Sequence, residues 1–229
     1  RWWSSPCSTT ERYERKERKM INIVIKESNA LFRCGLTAFF SDFFWRERGQ
    51  TIGFNFTFTP ESVKNADIIV LSLCPGECFT CLPELHARQK GIIIGFVDDD
   101  RRACALPSCF EDIIFISRRA SLARMRQELC RLWHNLQRPE YHQQAVSCFD
   151  CQQKYLSHQQ IRIMIGLHKG MTVLQIANKL RISGKTVFTH KYMAMQKFNL
   201  RSDYELVLWM NRLAEKNNWP AVFRDELSH

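Results

Sequence analysis

The rhythm of apolar and polar positions changes twice along the chain. From Met20 onward, short apolar runs recur at Ile21–Ile25, Ile68–Leu73, Ile92–Val97 and Ile113–Ile116, each of a length suited to a buried strand. A fifth run, Thr51–Thr59, alternates, with Ile52, Phe54, Phe56 and Phe58 on one side at period two. Between these runs lie connections long enough for the crossover helices that parallel strands require. Leu31–Phe44 is predicted to be a helix that is apolar on most sides. Ser121 is predicted to cap another, running to about Leu136 with Leu122, Met125, Leu129, Leu132 and Trp133 on one face. Five strands with intervening helices predict a doubly wound α/β domain of the flavodoxin type over residues 20–136.

Residues 137–153 break the pattern. They are polar and glutamine-rich, Pro139 stops any continuing helix, and the segment reads as a linker. Beyond it the spacing becomes helical. One helix runs from Ser157 through Ile161, Met164, Ile165 and His168 and ends at Gly170. The next carries Val173, Ile176, Ala177 and Leu180 at i, i+3, i+4 and i+7. A tight turn, Arg181–Gly184, follows, with Ile182 directed into the core and Ser183 placed to cap a third helix. That helix is expected to bury Val187, His190, Ala194 and Phe198 and to show Lys185, Thr189, Tyr192 and Gln196, flanked by Phe188 and Lys191. A last helix, Ser202–Leu213, has more apolar surface than one neighbour can cover. Residues 154–214 thus form an all-α, four-helix domain around a helix-turn-helix. Residues 1–19 are an N-terminal extension and 215–229 a tail.

Charge sharpens this division. Residues 152–213 carry ten Lys and Arg against Asp203 and Glu205, a net +8 of the +10 of the whole chain. Residues 20–121 carry 11 basic and 12 acidic residues and are near neutral. A basic excess confined to a helix-turn-helix segment is the electrostatic footprint of a phosphate-binding module, and double-stranded DNA is the expected partner. No apolar run approaches the ~18 residues a membrane span needs, and no signal peptide is visible, so a cytoplasmic protein is expected, at the nucleoid when bound to DNA. The ten cysteines include two C-x-x-C pairs, Cys78/Cys81 and Cys148/Cys151. With 66 residues between them they do not follow zinc-finger spacing, so reduced thiols are expected, with zinc or redox chemistry as the alternatives. No cofactor and no small-molecule ligand is expected. No nucleophile–base–acid set or phosphate-cradling glycine loop appears, so the chain is not expected to be an enzyme.

The motif residues of the helical part resemble a LuxR-type bacterial transcription regulator of the FixJ/NarL kind. They run at the family spacing from Leu156-Ser157 and Gly170 through Ile176-Ala177, Leu180-x-Ile182-Ser183 and Thr186-Val187-x-x-His190 to Lys197, Arg201 and Leu206. Gln159-Gln160, Gln175 and Phe188 depart from it. The resemblance implies that the third helix enters the major groove. Phe188, Thr189 and Tyr192 would then face bases, Lys185, Lys191 and Lys197 would meet phosphates, and Thr186 and Val187 complete the contact set. Lys or Arg reads guanine and Asn or Gln reads adenine by paired hydrogen bonds. Phe188 offers only apolar contact and Thr189 and Tyr192 one hydroxyl each, so the helix is expected to discriminate bases poorly alone.

The α/β part resembles the receiver domain of such regulators without its phosphorylation chemistry. That chemistry needs two acids after the first strand, an Asp nucleophile after the third, Ser or Thr after the fourth and Lys after the fifth. Here Glu27-Ser28 replaces the acid pair, Ser72 stands for the nucleophile, Phe96 lies at or beside the Ser/Thr position, and Arg118 replaces the Lys. The acidic run Asp98–Asp100 is expected to be a solvated turn. A degenerate receiver joined to a LuxR-type domain is similar to auxiliary regulators of the BglJ and RcsA kind. That resemblance implies a phosphorylation-independent activator pairing with a response regulator of the RcsB type. The alternative is an interaction protein that titrates another regulator and touches DNA little.

Overall fold

The computed structural model describes residues 20–98, 106–136 and 154–215. The expected extension 1–19, the linker 137–153, the tail from 216, Asp99–Asp100 and the Cys148/Cys151 pair lie outside the described residues. Five strands form one parallel sheet: β1 (Ile21–Lys26), β2 (Ile52–Asn55), β3 (Ile68–Ser72), β4 (Ile92–Val97) and β5 (Ile114–Ser117), in the order β2-β1-β3-β4-β5. The register pairs Ile23 with Ile68, Val70 with Ile94 and Phe96 with Ile116. The central strands are continuous apolar runs because both faces are covered. On one face, α1 (Ala30–Arg48) and α3 (Leu122–Leu136) close a core of Ile23, Ile25, Phe40, Phe43, Phe44, Val70, Ile94 and Leu129. On the other, α2 (Pro60–Asn65) and short 3₁₀ turns cover Val24, Ile69, Leu71 and Ile93.

Three expectations for this half need correction. The alternating run Thr51–Thr59 is a strand only to Asn55, whose side-chain oxygen accepts from Thr57 N at 2.8 Å and turns the chain. Thr59 then caps α2, with Pro60 at its first turn, where a missing N–H costs nothing. The β3–β4 connection carries no α-helix, only the 3₁₀ turns Glu77–Phe79 and Pro83–Ala87, and between β4 and β5 the described residues contain one more, Ser108–Phe110. Gly76 at φ +82 and Pro83 prevent a helix from propagating through the first of these segments. Leu122, expected in the α3 face, is exposed at the first position of that helix.

The helical half contains α4 (His158–His168), α5 (Val173–Leu180), α6 (Gly184–Lys197) and α7 (Asp203–Glu215). Each of the first three starts on a hydroxyl cap. Ser157, Thr172 and Ser183 accept from the amides of Gln160, Gln175 and Thr186. Ile163, Met164, Ile176, Val187, Ala194, Phe198, Leu206, Trp209 and Met210 fill the core. Gly166 lets α5 approach α4, since a Cβ there would sit 2.8 Å from Ile176 Cγ1. His190, expected in the core, is half-buried, and Met195 is buried on that side of α6 instead.

Candidate nucleic-acid interface

The α5–turn–α6 unit is built as its pattern dictates. Arg181 adopts φ +53 and ends α5, Ile182 packs on the core, and the Ser183 hydroxyl accepts from Thr186 N at 3.0 Å. This fixes which face of α6 looks outward. Lys185, Phe188, Thr189, Tyr192 and Gln196 are all exposed there, and Met193, which the motif reading missed, joins them. Met193 follows Tyr192 and lies four residues after Thr189, so helical spacing alone could have found it.

The other expected contact residues divide. Val187 is fully buried, so its expected place among DNA-contacting side chains is corrected: it is a core residue that holds α6 down. Thr186 is half-buried, with its hydroxyl 2.8 Å from Ser183 Oγ. Thr189 Oγ1 donates to the Lys185 carbonyl at 3.0 Å. Lys191 Nζ lies 2.7 Å from the Asp203 carboxylate at the start of α7. Lys197 Nζ donates to the Tyr155 carbonyl at 2.6 Å, while Lys154 Nζ donates to the Lys197 carbonyl at 2.7 Å. Of the three lysines expected to meet phosphates, Lys185 alone is exposed, and Lys191 and Lys197 are engaged within the domain.

The pocket at the carboxyl end of the sheet draws together four of its five expected residues. Glu27 is buried, and one of its oxygens accepts from the Ser72 hydroxyl and, at 2.9 Å, from Arg118 Nη2. Its other oxygen accepts from Asn29 N at 2.7 Å. Phe96 is buried beneath, edge-on to Phe32, and the Arg118 guanidinium lies over the Phe32 ring at 4.7 Å. Asp98 is exposed in a bend, as a solvated turn requires, and its carboxylate is also 3.8 Å from Arg118 Nε. Ser28 points away from this network, and its hydroxyl is 3.5 Å from Arg212 Nη1 of α7. The pocket is thus closed by its own charges: a carboxylate and a guanidinium face each other where a receiver would expose a metal and a nucleophile.

A third set of contacts was not legible in the motifs. Arg212 also reaches within 3.8 Å of the buried Glu77 carboxylate, which accepts from Cys74 N at 2.9 Å. The Lys154 ammonium lies 3.7 Å over the Phe79 ring, and Lys154 N donates to the Phe79 carbonyl. Gly76 packs so closely on α7 that a Cβ would meet Trp209 Cδ1 at 2.9 Å. The turn that replaces the β3–β4 helix therefore serves as the seat for the helical domain.

Residues 154–210 match the family described as bacterial regulatory proteins, luxR family. Residues 154–210 form a luxR-family regulatory domain. No curated protein matches the chain significantly. Among solved structures, RcsB from Salmonella enterica serovar Typhimurium bound to promoter P1flhDC in the presence of phosphomimetic BeF3⁻ has a TM-score of 0.53 and 18% identity, covering 84% of this chain and 98% of that one. A structure of two RcsB dimers bound to two parallel DNAs gives 0.49 and 17%, with the same coverage of 84% and 98%. At these identities the likeness is one of fold: a receiver-like parallel sheet followed by the luxR-family domain. Among the described residues, no helix is long and apolar enough to cross a membrane, and no group of three or more His, Cys, Asp or Glu is placed to hold a metal ion.

Proposed function

We propose that the protein is a DNA-binding transcription regulator, an activator that needs no phosphorylation and works as a heterodimer with a response regulator of the RcsB type. The observation that carries this reading is the outward face of α6. In a luxR-family domain it presents Lys185, Phe188, Thr189, Tyr192 and Gln196 together, on the part of the chain that holds most of the net positive charge. Phosphate attraction sets the affinity of such a face, and base contacts set its choice. Phe188, Thr189 and Tyr192 offer few paired hydrogen bonds to base edges, so a partner supplies the second half-site and the specificity. Phosphorylation independence rests on Ser72, which has no carboxylate to attack phosphorus, and on the engagement of Glu27 by Arg118. The protein acts in the cytoplasm, at the nucleoid.

The test is a binding titration at about 150 mM salt, with the pure chain, the partner response regulator alone, and the two together. The expected result is weak, unselective binding by the chain alone and selective binding by the mixture beyond that of the partner. Tight selective binding by the pure chain contradicts the heterodimer. A second reading, an interaction protein that titrates another regulator, draws on the engagement of Lys191 and Lys197 and on the exposed Phe188, Tyr192 and Met193. Footprinting of the complex separates the two, since protection of one half-site only favours titration.

A further inference from the structure

The sequence pairs Cys78 with Cys81 by spacing, but the fold pairs Cys81 differently. Cys81 Sγ lies 3.9 Å from Cys109 Sγ, across 28 residues, and 3.4 Å from His86 Nε2. Cys81 follows the Glu77–Phe79 turn, Cys109 sits in the Ser108–Phe110 turn, and His86 belongs to Pro83–Ala87. Cys81 is partly accessible, His86 is exposed and Cys109 is buried. We propose that Cys81 and Cys109 are a peroxide-responsive thiol pair, in which Cys81 is oxidised first, Cys109 resolves it, and His86 is the base for Cys81.

The three side chains suit these roles. With its proton on Nδ1, the His86 ring can accept the Cys81 thiol proton at Nε2, leaving a thiolate, the form that attacks oxidants. The Cys81 thiolate attacks one oxygen of hydrogen peroxide. The S–O bond forms, the O–O bond breaks, and the leaving hydroxide takes the proton from His86 to become water. Cys109 sulfur then attacks the sulfur of the Cys81 sulfenic acid. The S–S bond forms, and the expelled hydroxide leaves as water with the Cys109 proton. Two thiols and one peroxide give one disulfide and two waters.

Two other thiols among the described residues, Cys78 and Cys34, stand in different surroundings. Burial pushes the Cys78 thiol up to about 11, so it remains protonated at neutral pH. Cys34 is exposed on α1 and serves as an internal standard for a thiol in open solvent. The link would tie the β3–β4 turn to the β4–β5 turn two residues beyond Phe79, beside the seat of the helical domain.

The test treats the reduced full-length chain with equimolar hydrogen peroxide at pH 7, blocks remaining thiols, digests it and maps the products by mass spectrometry. The expected products are a peptide linked through Cys81 and Cys109 and, in Cys109→Ser, a sulfenic acid at Cys81 trapped by dimedone. Cys81 should react at least about tenfold faster than Cys34, and His86→Ala should slow it by about threefold or more. A link between Cys78 and Cys81 in place of Cys81–Cys109, or Cys81 reacting no faster than Cys34 in the unmutated chain, overturns the proposal. A rate unchanged in His86→Ala, with the fold retained by circular dichroism, overturns the role of His86.

Discussion

Glu27 decides what the receiver-like pocket can do, and it does so by being engaged from several sides. Its carboxylate accepts from Ser72, Arg118 and Asn29, and its side chain is almost wholly buried. Removing one member of a buried ion pair leaves the other uncompensated, so Glu27→Ala should lower stability by about 3 kcal/mol in urea unfolding. Ser72→Ala removes a single hydrogen bond and should cost about 1 kcal/mol, with DNA binding unchanged. Loss of DNA binding in a folded Ser72→Ala protein would contradict phosphorylation independence. Cys78 gives a second check at this scale. Burial raises its thiol from 9.0 to about 11, so ionisation of the folded protein is disfavoured where the unfolded chain ionises freely. Its contribution to stability is therefore fully present below pH 9 and lost as pH rises toward 11. Cys78→Ala should flatten the alkaline fall in stability over that window, and an unchanged profile would refute the burial argument. The sequence showed Glu27, Ser72 and Arg118 as departures from a receiver. It could not show that they bond to one another, because Glu27 follows β1, Ser72 ends β3 and Arg118 follows β5, and only the β1-β3-β4-β5 order brings these strand ends together.

Elements were legible to the extent that local physics decides them. Helices α4 to α6 announce themselves by apolar spacing, and α6 also by its Ser183 cap, which makes the expected bond; Ser157 and Thr172 cap α4 and α5 in the same way. Ser183→Ala should therefore destabilise the luxR-family domain by about 1 kcal/mol in thermal unfolding, and no measurable change would mean that the cap is idle. Gly166→Ala, which forces a Cβ to within 2.8 Å of Ile176, should also destabilise the domain, by about 1–3 kcal/mol. Elements defined by what they pack against were harder to read. The β3–β4 connection has the length of a crossover helix but folds as two 3₁₀ turns, and its apolar residues divide between sheet and helical domain. Phe79 packs on the helical core, while Leu82 and Leu85 pack on the sheet. No single-helix periodicity can serve two cores at once. The setting of Lys191 was hidden for a related reason: spacing places it on the flank of the exposed face, but only the start of α7 supplies Asp203 as its partner.

At the scale of the molecule, charge and packing divide the labour. The sheet domain is near neutral, has closed its own pocket and offers the Gly76–Phe79 turn as a seat. The luxR-family domain carries the positive excess and leaves the outer face of α6 uncovered. On the proposed function, this face binds DNA mainly through phosphates, with Lys185 its exposed cation. The most direct measurement is fluorescence-anisotropy titration of a labelled duplex with the full chain between about 50 and 200 mM salt, for the unmutated protein and Lys185→Ala. Affinity is expected to fall linearly on logarithmic axes as salt rises, with a slope smaller in magnitude by about 1 for Lys185→Ala, alike on unrelated duplex sequences. Binding that is absent, or a slope that Lys185→Ala leaves unchanged, would contradict it.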